Sequence, residues 1–137
     1  MMSIRTYIPS DQPAVVALWT SVFGYPSPHN DPAKVIRYKL ALQPEFFFIA
    51  TLGEQVVGTV MGGYDGHRGW IYSLAVNPQH RRCGIGSALV QHVEAALIAS
   101  GCPKINLQVL STNVQVVSFY EKMGYRVEER VSMGKIV

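Results

Sequence analysis

Apolar positions change their period several times along this chain, and each change predicts an element. Ile4 to Ile8 reads as a first strand, stopped by Pro9. Ser10 or Asp11 supplies a helix cap ahead of Pro13, and Val15, Leu18, Trp19 and Val22 recur at i, i+3, i+4 and i+7, the stripe of a helix packed on one face. Gly24 ends that helix, and Tyr25 to Asn30 is a turn-rich loop. Asp31-Pro32 opens a second helix through Leu42, closed by Pro44.

Phe46 to Leu52 and Gln55 to Met61 are apolar, β-branched or aromatic runs separated by Gly53-Glu54, so they predict a hairpin. A glycine-rich polar connection, Gly62 to Gly69, leads to a third such run, Trp70 to Val76. Asn77-Pro78 breaks it. The basic loop Gln79 to Gly86 then opens a helix from Ser87 to Ser100 with Leu89, Val93, Ala96 and Leu97 on its apolar face, stopped by Gly101 and Pro103. Lys104 to Val109 alternates as a strand, so strand, helix and strand predict a parallel crossover. Asn113 precedes a fourth helix carrying Val116, Phe119, Tyr120 and Met123 and ended by Gly124, and Tyr125 onward predicts one or two final strands. The whole is an α/β domain with a mixed sheet and about four helices, expected to be one domain over residues 1–137.

Composition adds limits. Hydrophobic residues make up 48% and charged residues 15%, enough apolar material for a core and too little charge for wholesale disorder. The net charge of +3 is mild and has no long basic run, which hints at an anionic ligand and argues against a nucleic-acid-binding module. Cys83 and Cys102 are too few for a disulfide framework, His29, His67, His80 and His92 lack metal-ligand spacing, and neither a signal-peptide core nor a membrane-length apolar run is visible. A cytoplasmic protein that uses no metal is the expectation.

The strongest chemical signal is Arg81-Arg82-Cys83-Gly84-Ile85-Gly86-Ser87, set between a strand and an amphipathic helix. Glycine lets backbone approach a ligand, and the N–H groups and positive dipole end of a helix start suit a phosphate or pyrophosphate. The P-loop pattern is absent, and a dinucleotide fingerprint would need Gly or Ala where Leu89 stands.

These residues resemble the GNAT superfamily of N-acetyltransferases, whose acetyl-CoA loop runs Gln or Arg, two residues, Gly, one residue, then Gly or Ala. Arg81, Gly84 and Gly86 match it. The preceding strand, ending Leu74-Ala75-Val76-Asn77-Pro78, and a second pattern, Asn113, Phe119-Tyr120 and Gly124-Tyr125, occur in the family's order. The resemblance is sharp from about Ile71 to Tyr125 and implies a twisted mixed sheet, splayed between Trp70–Val76 and Lys104–Val109 around a wedge for the pantetheine arm.

It further implies that Arg81, Arg82, Cys83, Gly84, Ile85, Gly86 and Ser87 hold the pyrophosphate of acetyl-CoA. Leu74, Ala75 and Val76 would offer main-chain groups, with the Leu74 N–H polarising the acetyl carbonyl. Asn113 and the Phe119-Tyr120 pair would meet the pantetheine arm, and Tyr120 would act as general acid. The expected partners are acetyl-CoA and an amine acceptor, in a monomer or homodimer, with no nucleic acid and no membrane. The family commonly places a Glu on or near the strand before the loop, yet Trp70 to Leu74 has no carboxylate. The base therefore stays open among Tyr72 or Ser73 acting through water, Asp65, His67 and Glu45, and a catalytically silent CoA-binding regulator is the competing expectation.

Overall fold

The structure, a computed structural model, describes residues 1–24 and 28–137. Part of the expected Tyr25–Asn30 loop thus lies outside the described residues. The chain divides into two compact units, Met1–Leu107 and Gln108–Val137.

The first unit is a five-stranded sheet in the order β1 (Met2–Thr6), β2 (Phe47–Leu52), β3 (Gln55–Tyr64), β4 (Gly69–Val76) and β5 (Ile105–Leu107). β1 to β4 are antiparallel neighbours, and β5 joins β4 in parallel after the crossover helix α3 (Ile85–Ala99). Helices α1 (Gln12–Phe23) and α2 (Pro32–Ala41) cover the other face. Against them lies a buried cluster of Tyr7, Val15, Leu18, Trp19, Ile36, Phe47, Ile49, Met61 and Ala75.

Alternation divides β3 between the faces. Thr59 and Met61 point toward α1, whereas Gly58 and Gly62 face α3, where an added Cβ would stand 2.8 Å from Leu89 and 2.6 Å from Val93 respectively. Those glycines let α3 lie close on the sheet.

The glycine-rich connection is shorter than the sequence implies. β3 continues through Gly62-Gly63-Tyr64 and β4 starts at Gly69, so only 65–68 turn, held by Asp65, whose carboxylate accepts the His67 and Arg68 N–H groups at 2.8 and 2.7 Å.

The second unit contains α4 (Val114–Lys122), with Asn113 at its N-cap accepting the Val116 N–H. The expected strands after Tyr125 are absent among the described residues: 125–137 pair with no strand, and Val127, Val131 and Met133 are exposed. Valines at strand spacing satisfy the pattern, but a strand needs a ladder to hold its backbone groups.

Candidate functional site

β4 carries the candidate site because its neighbour β5 is short. Its parallel ladder with β5 consists of Gly69, Trp70 and Ile71 against Ile105, Asn106 and Leu107. Beyond Ile71, no strand among the described residues pairs with that edge of β4, although its other edge stays paired with β3 as far as Val76. Backbone groups at residues 72–76 thus line an open edge, the kind that receives an extended ligand as an added strand.

A bulge sits on that edge. Met61 pairs with Tyr72 and Thr59 with Ala75, so Ser73 and Leu74 together oppose Val60, and Ser73 takes a left-handed φ of 53°. The extra residue breaks the ladder locally and re-aims the adjoining peptide groups. Thr59 holds the distortion from beneath. Its hydroxyl, 0% exposed, donates to the Ser73 carbonyl at 3.0 Å and accepts from Trp19 Nε1 at 2.8 Å.

After Val76, Asn77 caps the short turn Pro78–His80 and the chain enters α3 through two left-handed residues, Arg82 at φ 65° and Gly84 at φ 78°. No side chain caps this helix start. Its first backbone bond runs from the Ala88 N–H to the Gly84 carbonyl at 3.0 Å, so the N–H groups of Ile85, Gly86 and Ser87 precede the helical ladder. Arg81 to Gly84 are exposed, Gly86 and Ser87 are half-buried, and the Ile85 side chain is buried as an anchor under Gly58. Exposed guanidinium groups beside unpaired donors at a helix's positive end make an anion seat. These residues fit a pyrophosphate group. Exposed Cys83 has its Sγ 3.7 Å from the Arg81 carbonyl.

In the second unit, α4 presents Phe119 and Tyr120 in an edge-to-face pair 5.0 Å apart, and Tyr120 packs similarly on Tyr125. Tyr120 is 7% exposed, and burial pushes its phenol up to about 12, so it keeps its proton at neutral pH. Asn113 is exposed and serves as the α4 cap.

The open candidates for the base separate clearly. Asp65 is committed to its own turn, and the backbone N–H groups of Arg68 and His67 hold its carboxyl below the usual range. His67 Nε2 lies 2.8 Å from the Arg68 guanidinium. Tyr72 is half-exposed, and its hydroxyl meets the Gly62 carbonyl at 3.3 Å and Lys39 Nζ at 2.9 Å.

Lys39 and Thr59 went unsingled by sequence reasoning. Each left a trace: Lys39 follows Ile36 by three on a helical stripe, and Thr59 is a polar residue in an otherwise apolar strand.

An open strand edge leading straight into an uncapped, arginine-flanked helix start now has independent company. The profile of the acetyltransferase (GNAT) family matches residues 13–125. The chain belongs to the GNAT acetyltransferase family. It is 42% identical to an acetyltransferase of Yersinia enterocolitica over 98% of this chain and 94% of the relative. An acetyltransferase of Sodalis glossinidius is 45% identical over 95% and 91%. Among solved structures, Ard1 from Thermoplasma volcanium superposes with a TM-score of 0.82 at 27% identity, covering 93% of this chain and 84% of that one. The PaiA N-acetyltransferase of Thermoplasma acidophilum, solved with coenzyme A, gives 0.82 at 19% identity over 96% and 93%, a likeness of fold. The mixed sheet with about four helices expected from the sequence is the fold observed, and the protein is an acyltransferase. No described helix is long and apolar enough to cross a membrane.

Proposed function

We propose that this GNAT protein takes the acetyl group of acetyl-CoA and transfers it directly to a primary amine of a small molecule or peptide. One observation carries the reading: β4 loses its β5 ladder after Ile71, and the same strand delivers the chain, within nine residues of Val76, to the uncapped start of α3. A ligand with a diphosphate at one end and an amide-bearing arm at the other matches that succession.

In this reading the N–H groups of Ile85, Gly86 and Ser87, with Arg81 and Arg82, hold the pyrophosphate. Cys83 and Gly84 shape the turn, and the edge from Leu74 through Ala75 to Val76 pairs with the pantetheine amides. The Leu74 N–H, on the residue that follows left-handed Ser73 in the bulge, polarises the acetyl carbonyl, where a fixed donor supports charge that develops during attack. Asn113 and Phe119 contact the arm, and Tyr120 protonates the departing sulfur, roles taken from the matching family pattern. Direct attack on a thioester needs positioning, oxyanion support and two proton movements, all within reach of side chains and backbone.

The reading extends to one domain over residues 1–137, supported by a family match over residues 13–125 that reaches into both compact units. It also extends to work in the cytoplasm, supported by two free cysteines. Calorimetric titration with acetyl-CoA, CoA and NAD tests it: both CoA species bind and NAD does not. Indifference to all three would defeat it, and binding without turnover on any amine would mark a silent CoA-binding regulator.

A further inference from the structure

A thioester attacked by an alkyl amine needs an unprotonated nitrogen, and amines with a pKa near ~10 arrive mostly as ammonium. The strand that should supply a carboxylate has none. It offers Tyr72, the first residue of β4 beyond the last β5 rung and two residues before Leu74. Two residues of strand span at most roughly 7 Å, so the Tyr72 backbone lies within that reach of Leu74 at the start of the open edge. Tyr72 pairs across the sheet with Met61, which belongs to the core under α1 and α2, and Tyr72 therefore lies on that face. With 41% of its surface exposed, it has one side in solvent.

Behind it stands Lys39 of α2, only 6% exposed, with Nζ 2.9 Å from the Tyr72 hydroxyl and its other partner the Gly62 carbonyl. The charged group acting on it is Glu45, in the one-turn helix Pro44–Phe46. β3 contributes the Gly62 carbonyl, β4 contributes Tyr72, and α1 has no charged residue at all. Ammonium groups are rarely buried this deeply without a carboxylate contact, because desolvation penalises the charge. Here that penalty outweighs the pull of Glu45 and brings Lys39 down to about 8. Near neutrality a useful fraction of Lys39 is uncharged, while burial pushes the Tyr72 phenol up and keeps it protonated.

We propose that Tyr72 and Lys39 form the proton exit for the acceptor amine: the Tyr72 hydroxyl takes a proton from the incoming ammonium while passing its own to the uncharged Nζ of Lys39. The inference rests on the acetyl-transfer reading above. Protons balance. The ammonium loses one proton along Tyr72 to Lys39, the nitrogen–carbon bond forms, and the carbon–sulfur bond breaks. The proton then shed by the nitrogen equals the one that the sulfur gains on leaving as thiol. Lys39 returns its proton to solvent before the next turnover. Tyr72 touches the substrate, and Lys39 acts through it.

The test compares wild type, Tyr72→Phe and Lys39→Met with acetyl-CoA and two kinds of nucleophile: the best alkyl amine from a panel of spermidine, tyramine and alanine amide, and methoxyamine, which is already neutral. For the alkyl amine we expect kcat to fall about 100-fold in both variants, the scale of a lost general base. The wild-type rise of kcat through a pH of about 8 should vanish in Lys39→Met. Methoxyamine turnover should stay within about threefold of wild type, a rescue that a merely misfolded variant would not show. Independently of turnover, the 13Cε resonance of Lys39 should titrate near 8 in the wild type. Equal losses with both nucleophiles, an unchanged pH profile in the variants, or a Lys39 midpoint near 10.5 would overturn the proton exit while leaving acetyl transfer standing. Failure of the wild type to bind acetyl-CoA would overturn both.

Discussion

Thr59→Val removes one hydroxyl and keeps the shape, so its consequences follow from two hydrogen bonds. Trp19 Nε1 loses its acceptor at a site where the indole is 3% exposed, and the Ser73 carbonyl loses a donor. A buried N–H left without a partner costs about 1–3 kcal/mol. The half-buried carbonyl, with a second lone pair, sits at the low end of that range, near ~1 kcal/mol. The sum is about 2–4 kcal/mol, against a total stability of roughly 5–15 kcal/mol for a domain. With a urea slope of about 2 kcal/mol/M, the denaturation midpoint should drop by ~1–2 M. Thr59→Ser keeps both bonds and removes one methyl, so it should cost only about 1 kcal/mol. Because the lost bond also holds the left-handed Ser73 that turns the Leu74 peptide, Thr59→Val should lose turnover where it is still fully folded, and Thr59→Ser should not. A Thr59→Val midpoint within about 0.3 M of wild type would refute the bonding account. Unchanged kcat in that variant would separate the bulge from catalysis.

Asp11 accepts both Arg5 guanidinium nitrogens at 2.8 Å and the Ile8 N–H at 2.9 Å, and these hold its carboxyl below the ordinary 3.8. Its stabilisation is present above about pH 4 and is lost as pH falls through the lower folded value, so Asp11→Asn should cost about 1 kcal/mol at pH 7 and progressively less as the pH falls below the ordinary carboxylate range, read by thermal melts. Gly62→Ala would place a Cβ 2.6 Å from Val93 Cγ2, and overpacking beneath α3 should cost about 1–3 kcal/mol in urea titration. Tyr120→Phe should cut kcat about 10- to 100-fold with little change in acetyl-CoA affinity. With its phenol near 12, Tyr120 gives its proton to a thiolate of pKa ~8.5 favourably only as the amine sheds its own, so unchanged turnover would remove it from the reaction.

Much of this was legible because it is periodic or local. The stripe of α1, the hairpin around Gly53-Glu54 and the Arg81–Ser87 loop follow from spacing and turn chemistry within a few residues. The parts that stayed hidden depend on partners far along the chain. The bulge at Ser73 exists because Thr59 and Val60 lie opposite it, and nothing in Trp70-Ile71-Tyr72-Ser73-Leu74 demands a positive φ. Lys39 resembles any helix-surface lysine until β3 and β4 close over it. Tyr125–Val137 shows the opposite case, strand-like spacing without the ladder that a strand requires.

The decisive measurement is an amide NMR titration of the intact protein with CoA. The backbone N–H signals of Leu74, Val76 and the segment from Arg82 to Ser87 should shift together at one saturating concentration, with Glu54, Gln55 and other amides across the sheet unmoved. Saturable shifts that leave the start of α3 and the free edge of β4 untouched would place CoA elsewhere and contradict the account.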